Sequence, residues 1–324
     1  MQQKFILVLL AVLLFNAGKT QTPDTPETTN DTELCFASDT QKPMWVETLF
    51  LKKDHNQEAT KKLFAAVSAR KPAAFFIMGD VVSLGYSNHQ WKPMDAYLKD
   101  LRSKNISVYA ALGNHEVMGQ PKKGELKFQE RFPEHVATGY VEVKDSVAVI
   151  LLNSNFSSLN EVENKTQVEW YKKTLEQLDA DPSIQFIISG CHHSPYTNSK
   201  IVGPNKDVQQ KFVPLFLASK KSRLFITGHS HNFEHYQYGG KDFLVIGGGG
   251  GLHQPLRTGA GCLSDLAADY KPQFHYLTVK RCGDQLKVCS VQLKKDFSCF
   301  EDGQKLAVNK EAIITSDVAV IKKN

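Results

Sequence analysis

Five short apolar runs in the sequence each end in residues that can hold a metal ion or move a proton. The run over 34–37 stops at Ser38-Asp39, the run over 73–78 at Gly79-Asp80, and the run over 106–112 at Gly113-Asn114-His115-Glu116. Residues 184–188 lead to Cys191-His192-His193, and residues 224–227 to Gly228-His229-Ser230-His231. Two carboxylates, one amide oxygen and several imidazoles make a donor set suited to a borderline divalent or trivalent metal such as zinc, manganese or iron. One Asp or His after a strand is an ordinary turn residue. Five such clusters, each introduced by a hydrophobic run, point to a metal site without fixing its chemistry.

Residues so far apart can meet only if the apolar runs are strands of one layered fold, because the carboxyl ends of strands in open α/β sheets converge on a ligand crevice. The intervening sequence supplies the helices. Leu63, Phe64 and Val67 predict a helix over 58–70, and a second belongs at about 90–103. Trp170, Tyr171, Leu175 and Leu178 predict one over 167–178, and another is expected near 208–217. Residues 147–152 and 242–246 read as further strands, the latter running into five glycines, 247–251. Beyond Gln273, strand-like segments flank Gly283-Asp284 and read as a hairpin. Strand and helix alternate, then strands return, which is the pattern of a layered α/β fold. No repeat or linker interrupts 33–324, so a single domain with C-terminal strands is expected there.

The 324 residues are 41% apolar and 23% charged, which excludes a disordered chain, a collagen-like repeat and a small disulfide scaffold. There are 39 basic residues against 34 acids, for a formal charge of +5, and they are scattered. With no basic-aromatic surface pattern, nucleic acid is not an expected partner. Lys4 precedes an apolar run over 5–15, followed by Asn16, Ala17 and Gly18. Such a run spans about 16 Å as a helix, short of a roughly 30 Å hydrocarbon core. It reads as a signal peptide over 1–19, so no stable membrane span is expected after its removal. A disordered leader over 20–32 follows, and the location expected is secreted or periplasmic. In an oxidising compartment, disulfides are expected among Cys262, Cys282, Cys289 and Cys299, whose three pairings stay open. A zinc cluster there would lack the tight Cys-x2–4-Cys knuckle. Asn-x-Ser/Thr triplets begin at Asn30, Asn105, Asn155 and Asn164 and matter only in a eukaryotic host.

At the five clusters the chain resembles the calcineurin-like metallophosphoesterase superfamily, which includes the purple acid phosphatases. Ser38-Asp39-Thr40-Gln41, Gly79-Asp80, Gly113-Asn114-His115-Glu116, His192-His193-Ser194-Pro195-Tyr196 and Gly228-His229-Ser230-His231 stand in the family's order and at its separations, across 33–251. The resemblance implies a four-layer αββα sandwich, two mixed β-sheets flanked by helices. It also implies a two-metal centre (iron, zinc or manganese) acting on a small phosphorylated substrate. Carried over, Asp80 bridges the metals, Asp39 and His231 hold the first, and Asn114, His192 and His229 hold the second. His115 stands beside them, near the leaving-group oxygen.

Three positions need a separate reading. Many relatives have Asp-x-His in the first segment, whereas here Gln41 offers a carbonyl oxygen as a first-metal ligand. Counting back from Tyr196 selects His192 as the ligand, while His-x-Pro spacing selects His193; we take His192. Purple enzymes have tyrosine three residues after the bridging aspartate, where this chain has Ser83, and its nearest tyrosine is Tyr86. The glycines at 247–251 suit either a backbone approach to phosphate or a tight crossing beneath the site. His253 and Arg257 follow as weaker substrate candidates. The function implied is phosphate-ester hydrolysis, by a phosphomonoesterase. The alternatives are a phosphodiesterase or nucleotide pyrophosphatase, and a secreted metal-containing binding protein without activity, for which His115 would be surplus.

Overall fold

A computed structural model describes residues 32–311; the expected signal segment, the leader up to residue 31 and residues 312–324 lie outside the described residues. In chain order the strands and helices begin β1 (Glu33–Ala37), α1 (Asn56–Arg70), β2 (Ala74–Ile77), α2 (Asn88–Ser103) and β3 (Ser107–Ala110). They continue α3 (Asn114–Val117), α4 (Pro121–Gln129), β4 (Tyr140–Lys144), β5 (Val147–Leu151), α5 (Glu161–Ala180) and β6 (Phe186–Gly190). Then come α6 (Lys206–Lys211), α7 (Val213–Ala218), β7 (Ser222–Thr227), β8 (Phe233–Tyr238) and β9 (Lys241–Ile246). The last three are β10 (His275–Cys282), β11 (Gln285–Leu293) and β12 (Phe300–Asn309).

One six-stranded sheet has the order β12-β11-β10-β1-β2-β3, the other β4-β5-β6-β7-β9-β8. The strands that lead to the polar clusters are parallel neighbours: β1 with β2 and β2 with β3 in the first sheet, β6 with β7 in the second. Their carboxyl ends therefore open on the same side of each sheet.

Side-chain alternation sorts the apolar residues into layers. From β1, Leu34 and Phe36 face the second sheet and join Phe76, Val149, Ile188 and Ile226 in one buried cluster. Cys35 and Ala37 point the other way, onto Leu63, Phe64, Val67, Trp91 and Leu98 of α1 and α2. On the far side, Ile150, Ile187 and Phe225 meet Tyr171, Leu175 and Phe216 of α5 and α7. The result is helix, sheet, sheet, helix: a four-layer αββα sandwich of two mixed sheets.

The differences from the sequence reading have local causes. The helix expected over 167–178 starts at Glu161, because Asn160 caps it with a reciprocal Glu163 box and its first turns are polar. The single helix expected near 208–217 is two, α6 and α7, broken where Pro214 lacks an N–H and its ring crowds the preceding turn. Strand β8 escapes a search for apolar runs, since Glu234, His235 and Gln237 interrupt it. The hairpin at Gly283-Asp284 does form, with Cys282 opposite Gln285.

The expected disulfides do not form: all six cysteines are free thiols. Register explains why. Cys289 stands between Thr278 of β10 and Lys305 of β12, with no cysteine opposite it. Cys282 ends a strand opposite a glutamine, and Cys299 is exposed ahead of β12.

Phe76 is fully buried between the sheets, its ring 4.9 Å from Phe36 and 5.3 Å from Tyr109. Phe76→Ala should lower stability by about 3–5 kcal/mol, the scale of a large core cavity. A shift of the urea midpoint at unchanged slope measures it.

Candidate metal and catalytic site

The two acids stand at adjacent strand ends. Ser38 Oγ donates to the Met78 carbonyl at 2.9 Å, Asp39 N to Gly79 O at 3.1 Å, and Gln41 N to Asp80 O at 3.1 Å, lacing the β1 and β2 loops together. Asp39, Asp80 and His229 all have left-handed backbones, with φ of 58°, 50° and 66°. For residues other than glycine this costs energy and clusters at functional sites. The surroundings enforce it. The Asp80 N–H donates to Glu116 Oε2 at 3.0 Å, and the His229 N–H reaches Asp39 Oδ2 at 3.0 Å.

The second sheet brings the imidazoles across. A Cβ on Gly228 would stand 1.9 Å from Ser38 Oγ and 2.4 Å from Asp39 Oδ2, so only glycine lets the β7 loop close on the β1 loop. His192 Nε2 then lies 3.2 Å from Asp80 Oδ2 and 2.9 Å from Asn114 Oδ1. His231 Nε2 lies 3.2 Å from Asp39 Oδ1 and 3.4 Å from Gln41 Nε2. His115 sits at the edge, Nε2 3.8 Å from Asp80 Oδ2, while its backbone N–H donates to Asp80 Oδ1 at 2.9 Å. All eight site candidates thus meet in one place.

The residues present fit metal ions. His192 Nδ1 bonds the Met78 carbonyl at 3.0 Å, and His231 Nδ1 the Leu252 carbonyl at 2.8 Å. A carbonyl only accepts, so each Nδ1 carries the hydrogen and each Nε2 is turned to the carboxylates, the usual preparation of a ligating histidine. Gln41 Oε1 is buried with no hydrogen-bond partner, a lone pair waiting for a cation. Donor atoms of Asp39, Asp80 and His192 lie within 4.8 Å of one another, as do those of His192, His193 and His229.

Charge follows from this packing. Burial pushes the Asp80 carboxyl up, but the imidazoles of His192 and His115 outweigh it and hold it well below the usual carboxylate range. Burial likewise opposes charge on His192, and the Asp80 carboxylate overcomes it, raising that imidazole to about 9. His193 goes the other way, down to about 3, through burial and the neighbouring His192. Its Nδ1 pairs with Ser154 Oγ at 2.8 Å, and its ring stands 4.5 Å from His229 and 5.0 Å from His192.

Two buried glutamates were given no role by sequence reasoning. Glu116 accepts from Gly113 N at 2.9 Å and Val82 N at 3.0 Å besides Asp80 N, so one carboxylate anchors the β2 and β3 loops. Burial, then the Asp80 charge, pushes its carboxyl up to about 7. Glu234 accepts from Ser230 Oγ at 3.1 Å, Thr197 Oγ1 at 2.6 Å and Asn198 N at 2.7 Å, tying the two histidine loops to β8. Glu116 was visible as part of its motif; Glu234, inside an unrecognised strand, gave no signal.

The remaining candidates resolve individually. Ser83 Oγ is turned away to the Lys42 carbonyl, and Tyr86 packs near Lys123, 6.0 Å from its ring. The 247–251 glycines form the tight crossing: Gly249 N donates to Ser38 O at 2.9 Å and Gly251 N to Asp39 O at 2.8 Å. Arg257 bonds the Asn198 carbonyl through its backbone at 2.7 Å and the Thr197 carbonyl through its guanidinium at 3.4 Å, while His253 lines a separate cavity beside Lys271.

Comparison with known proteins gives the same architecture. Residues 33–233 match the family described as calcineurin-like phosphoesterase. No curated protein matches the chain at sequence level. The fold overlays on purple acid phosphatase PPD1 from yellow lupin (Lupinus luteus) seeds with a TM-score of 0.63 at 16% identity, covering 86% of this chain and 53% of that one. The chain thus spans about half the length of the lupin protein. A dimetal phosphatase from Danio rerio gives 0.56 at 10% identity, over 87% of this chain and all (100%) of the other. GAP50, the anchor in the inner membrane complex of Plasmodium, gives 0.65 at 14%, covering 86% and 89%. At these identities the likeness is one of fold.

The Glu116 anchor can be tested alone. Glu116→Gln keeps the side chain's shape but turns an acceptor into a donor facing backbone N–H groups. It should leave a folded protein with metal affinity weakened about 10–100-fold, the usual effect of an outer-shell partner. Competitive metal titration with circular dichroism as the folding control reads both.

Proposed function

The chain belongs to the calcineurin-like phosphoesterase family, and from that premise we propose that it is a dinuclear metal-dependent phosphomonoesterase. In this reading Asp80 would hold both ions. Asp39, His231 and the Gln41 carbonyl oxygen would complete the first site, and Asn114, His192 and His229 the second. Iron, zinc and manganese all suit this donor set. Bound there, the pair would supply Lewis acidity, polarising phosphoryl oxygens and lowering the pKa of an attacking water. A monoester dianion offers two charged oxygens to that field, a diester only one, which favours monoesters. The expected signal over 1–19 would place the reaction outside the cytoplasm.

The observation that carries the catalytic reading is His115. Its Nδ1 bonds the Ser83 carbonyl at 3.0 Å, so Nδ1 holds a hydrogen and Nε2 alone faces the cluster. Burial opposes its charge, yet Asp80 and the Ser83 carbonyl outweigh burial and raise its pKa above the ordinary histidine value. An imidazolium fixed in this way can hand its Nε2 proton to a departing alkoxide, which is a poor leaving group without one. A binding protein that kept metals for structure alone would have no use for such a group. His193, neutral beside His229, faces the substrate in this reading and orients a phosphoryl oxygen.

His115→Ala should keep both metals and lose roughly 10²–10⁴ in kcat on alkyl phosphates, the scale of acid–base assistance. The loss should be much smaller on nitrophenyl phosphate, whose leaving group needs little protonation. Equal losses on both substrates at matched metal occupancy would reduce His115 to a positioning role. A panel of mono-, di- and pyrophosphate esters assayed with each metal tests the substrate class, and higher kcat/KM on diesters would replace the monoesterase reading.

A further inference from the structure

Between the β1 loop and α1 the chain makes a turn whose tip is apolar and turned to solvent. Trp45 is 76% exposed, Leu49 65% and Phe50 81%, with Val46 beside them. The other exposed large apolar residues stand singly along the described chain, and single ones are ordinary on a protein surface. Here four fall within six residues. The turn is nonetheless built. A single 3-10 turn, Glu47–Leu49, closes it, Met44 N donates to Glu47 Oε2 at 2.5 Å, and Thr48 Oγ1 to Trp45 O at 2.6 Å. Backbone N–H groups from Thr48 to Leu51 bond back to the carbonyls of Trp45, Val46 and Glu47, and the aromatic side chains form the outer surface.

The base of the turn is basic. Lys42, Lys53 and His55 line a cavity of about 330 Å³, and Lys52 is exposed alongside. Of the acids there, Glu58 is engaged by His55 and Lys62, each at 3.6 Å, and Glu47 by the Met44 N–H, which leaves Asp54. Amphipathic aromatic rings above a ring of lysines are the composition of a membrane-interface anchor. The turn also belongs to the rim of the site. The Lys42 carbonyl accepts from Ser83 Oγ, and the Ser83 carbonyl holds His115.

We propose that the 44–50 turn docks this protein on an anionic phospholipid surface, with Trp45, Leu49 and Phe50 entering the interface and Lys42, Lys52 and Lys53 meeting headgroup phosphates. Charge selects this occupant over a second copy of the chain, whose identical lysines would repel. The contact is peripheral and needs no spanning segment; no helix among the described residues is long and apolar enough to cross a membrane. It holds whether or not the adjacent cluster hydrolyses phosphate esters.

The mature chain, with its metals, should sediment with phosphatidylglycerol/phosphatidylcholine vesicles at low salt and be released as salt rises. Trp45 emission should shift to the blue on binding. The double variant Trp45→Ser/Phe50→Ser should lose at least about tenfold in apparent vesicle affinity, and Lys52→Gln/Lys53→Gln should do the same, since each pair supplies one of the two forces on which interfacial binding depends. Unchanged melting temperature and unchanged turnover of soluble nitrophenyl phosphate would show that neither pair acts through the fold. Failure of the wild type to bind anionic vesicles, or equal binding by Trp45→Ser/Phe50→Ser, overturns the proposal. So does a concentration-dependent dimer, seen by sedimentation, that this variant abolishes.

Discussion

Two buried carboxylates govern this structure. Asp39 and Asp80 stand almost without solvent at neighbouring strand ends, where an unmatched anion costs several kcal/mol. Every nearby feature answers that cost. Backbone N–H groups of His115 and His229 are aimed at the carboxylates, and His192 and His231 approach them with their second nitrogens. The two carboxylates favour protons on the neighbouring imidazoles, Asp80 raising the pKa of His192 and Asp39 that of His231. Metal ions would take the place of those protons, so the stored electrostatic demand is also the binding energy for a cation.

Bringing anions and imidazoles together requires two sheets to meet at their strand ends. The aromatic and aliphatic layer around Phe36, Phe76, Ile188 and Ile226 sets the distance between the sheets. Where that layer ends, loops replace side chains and backbones must pass at contact distance. Gly228 against Ser38, and the 249–251 crossing against the β1 loop, are where this is possible only without a Cβ. Left-handed Asp39, Asp80 and His229 mark the strain that remains.

Rigidity around the cluster comes from buried polar groups behind it. Glu116 gathers three backbone N–H groups from two loops, and Glu234 gathers donors from two more. A carboxylate with its acceptor sites filled by N–H and O–H groups is a strong, directional staple in a low-dielectric interior. The carbonyls of Met78, Leu252 and Ser83 complete the arrangement by fixing which nitrogen of His192, His231 and His115 faces inward.

Much of this was legible in the sequence, because strand-forming runs and the polar residues ending them are local signals. The apolar run over 34–37 that becomes β1, and the order of the Asp, Asn and His clusters, follow from residue type and position. Three things were not local. The place of His192 beside Asp80, with His193 toward His229, depends on how the β6 loop packs across the sheets. The free cysteines depend on strand register, which sets Cys282 opposite Gln285 and Cys289 opposite Thr278 and Lys305. The Glu234 staple depends on a strand whose polar residues hide it from an apolar search. Chain-local chemistry determined which donors were available and at which strand ends. Only tertiary packing decided which of their atoms face one another, because that is settled by contacts between segments from 35 to 190 residues apart.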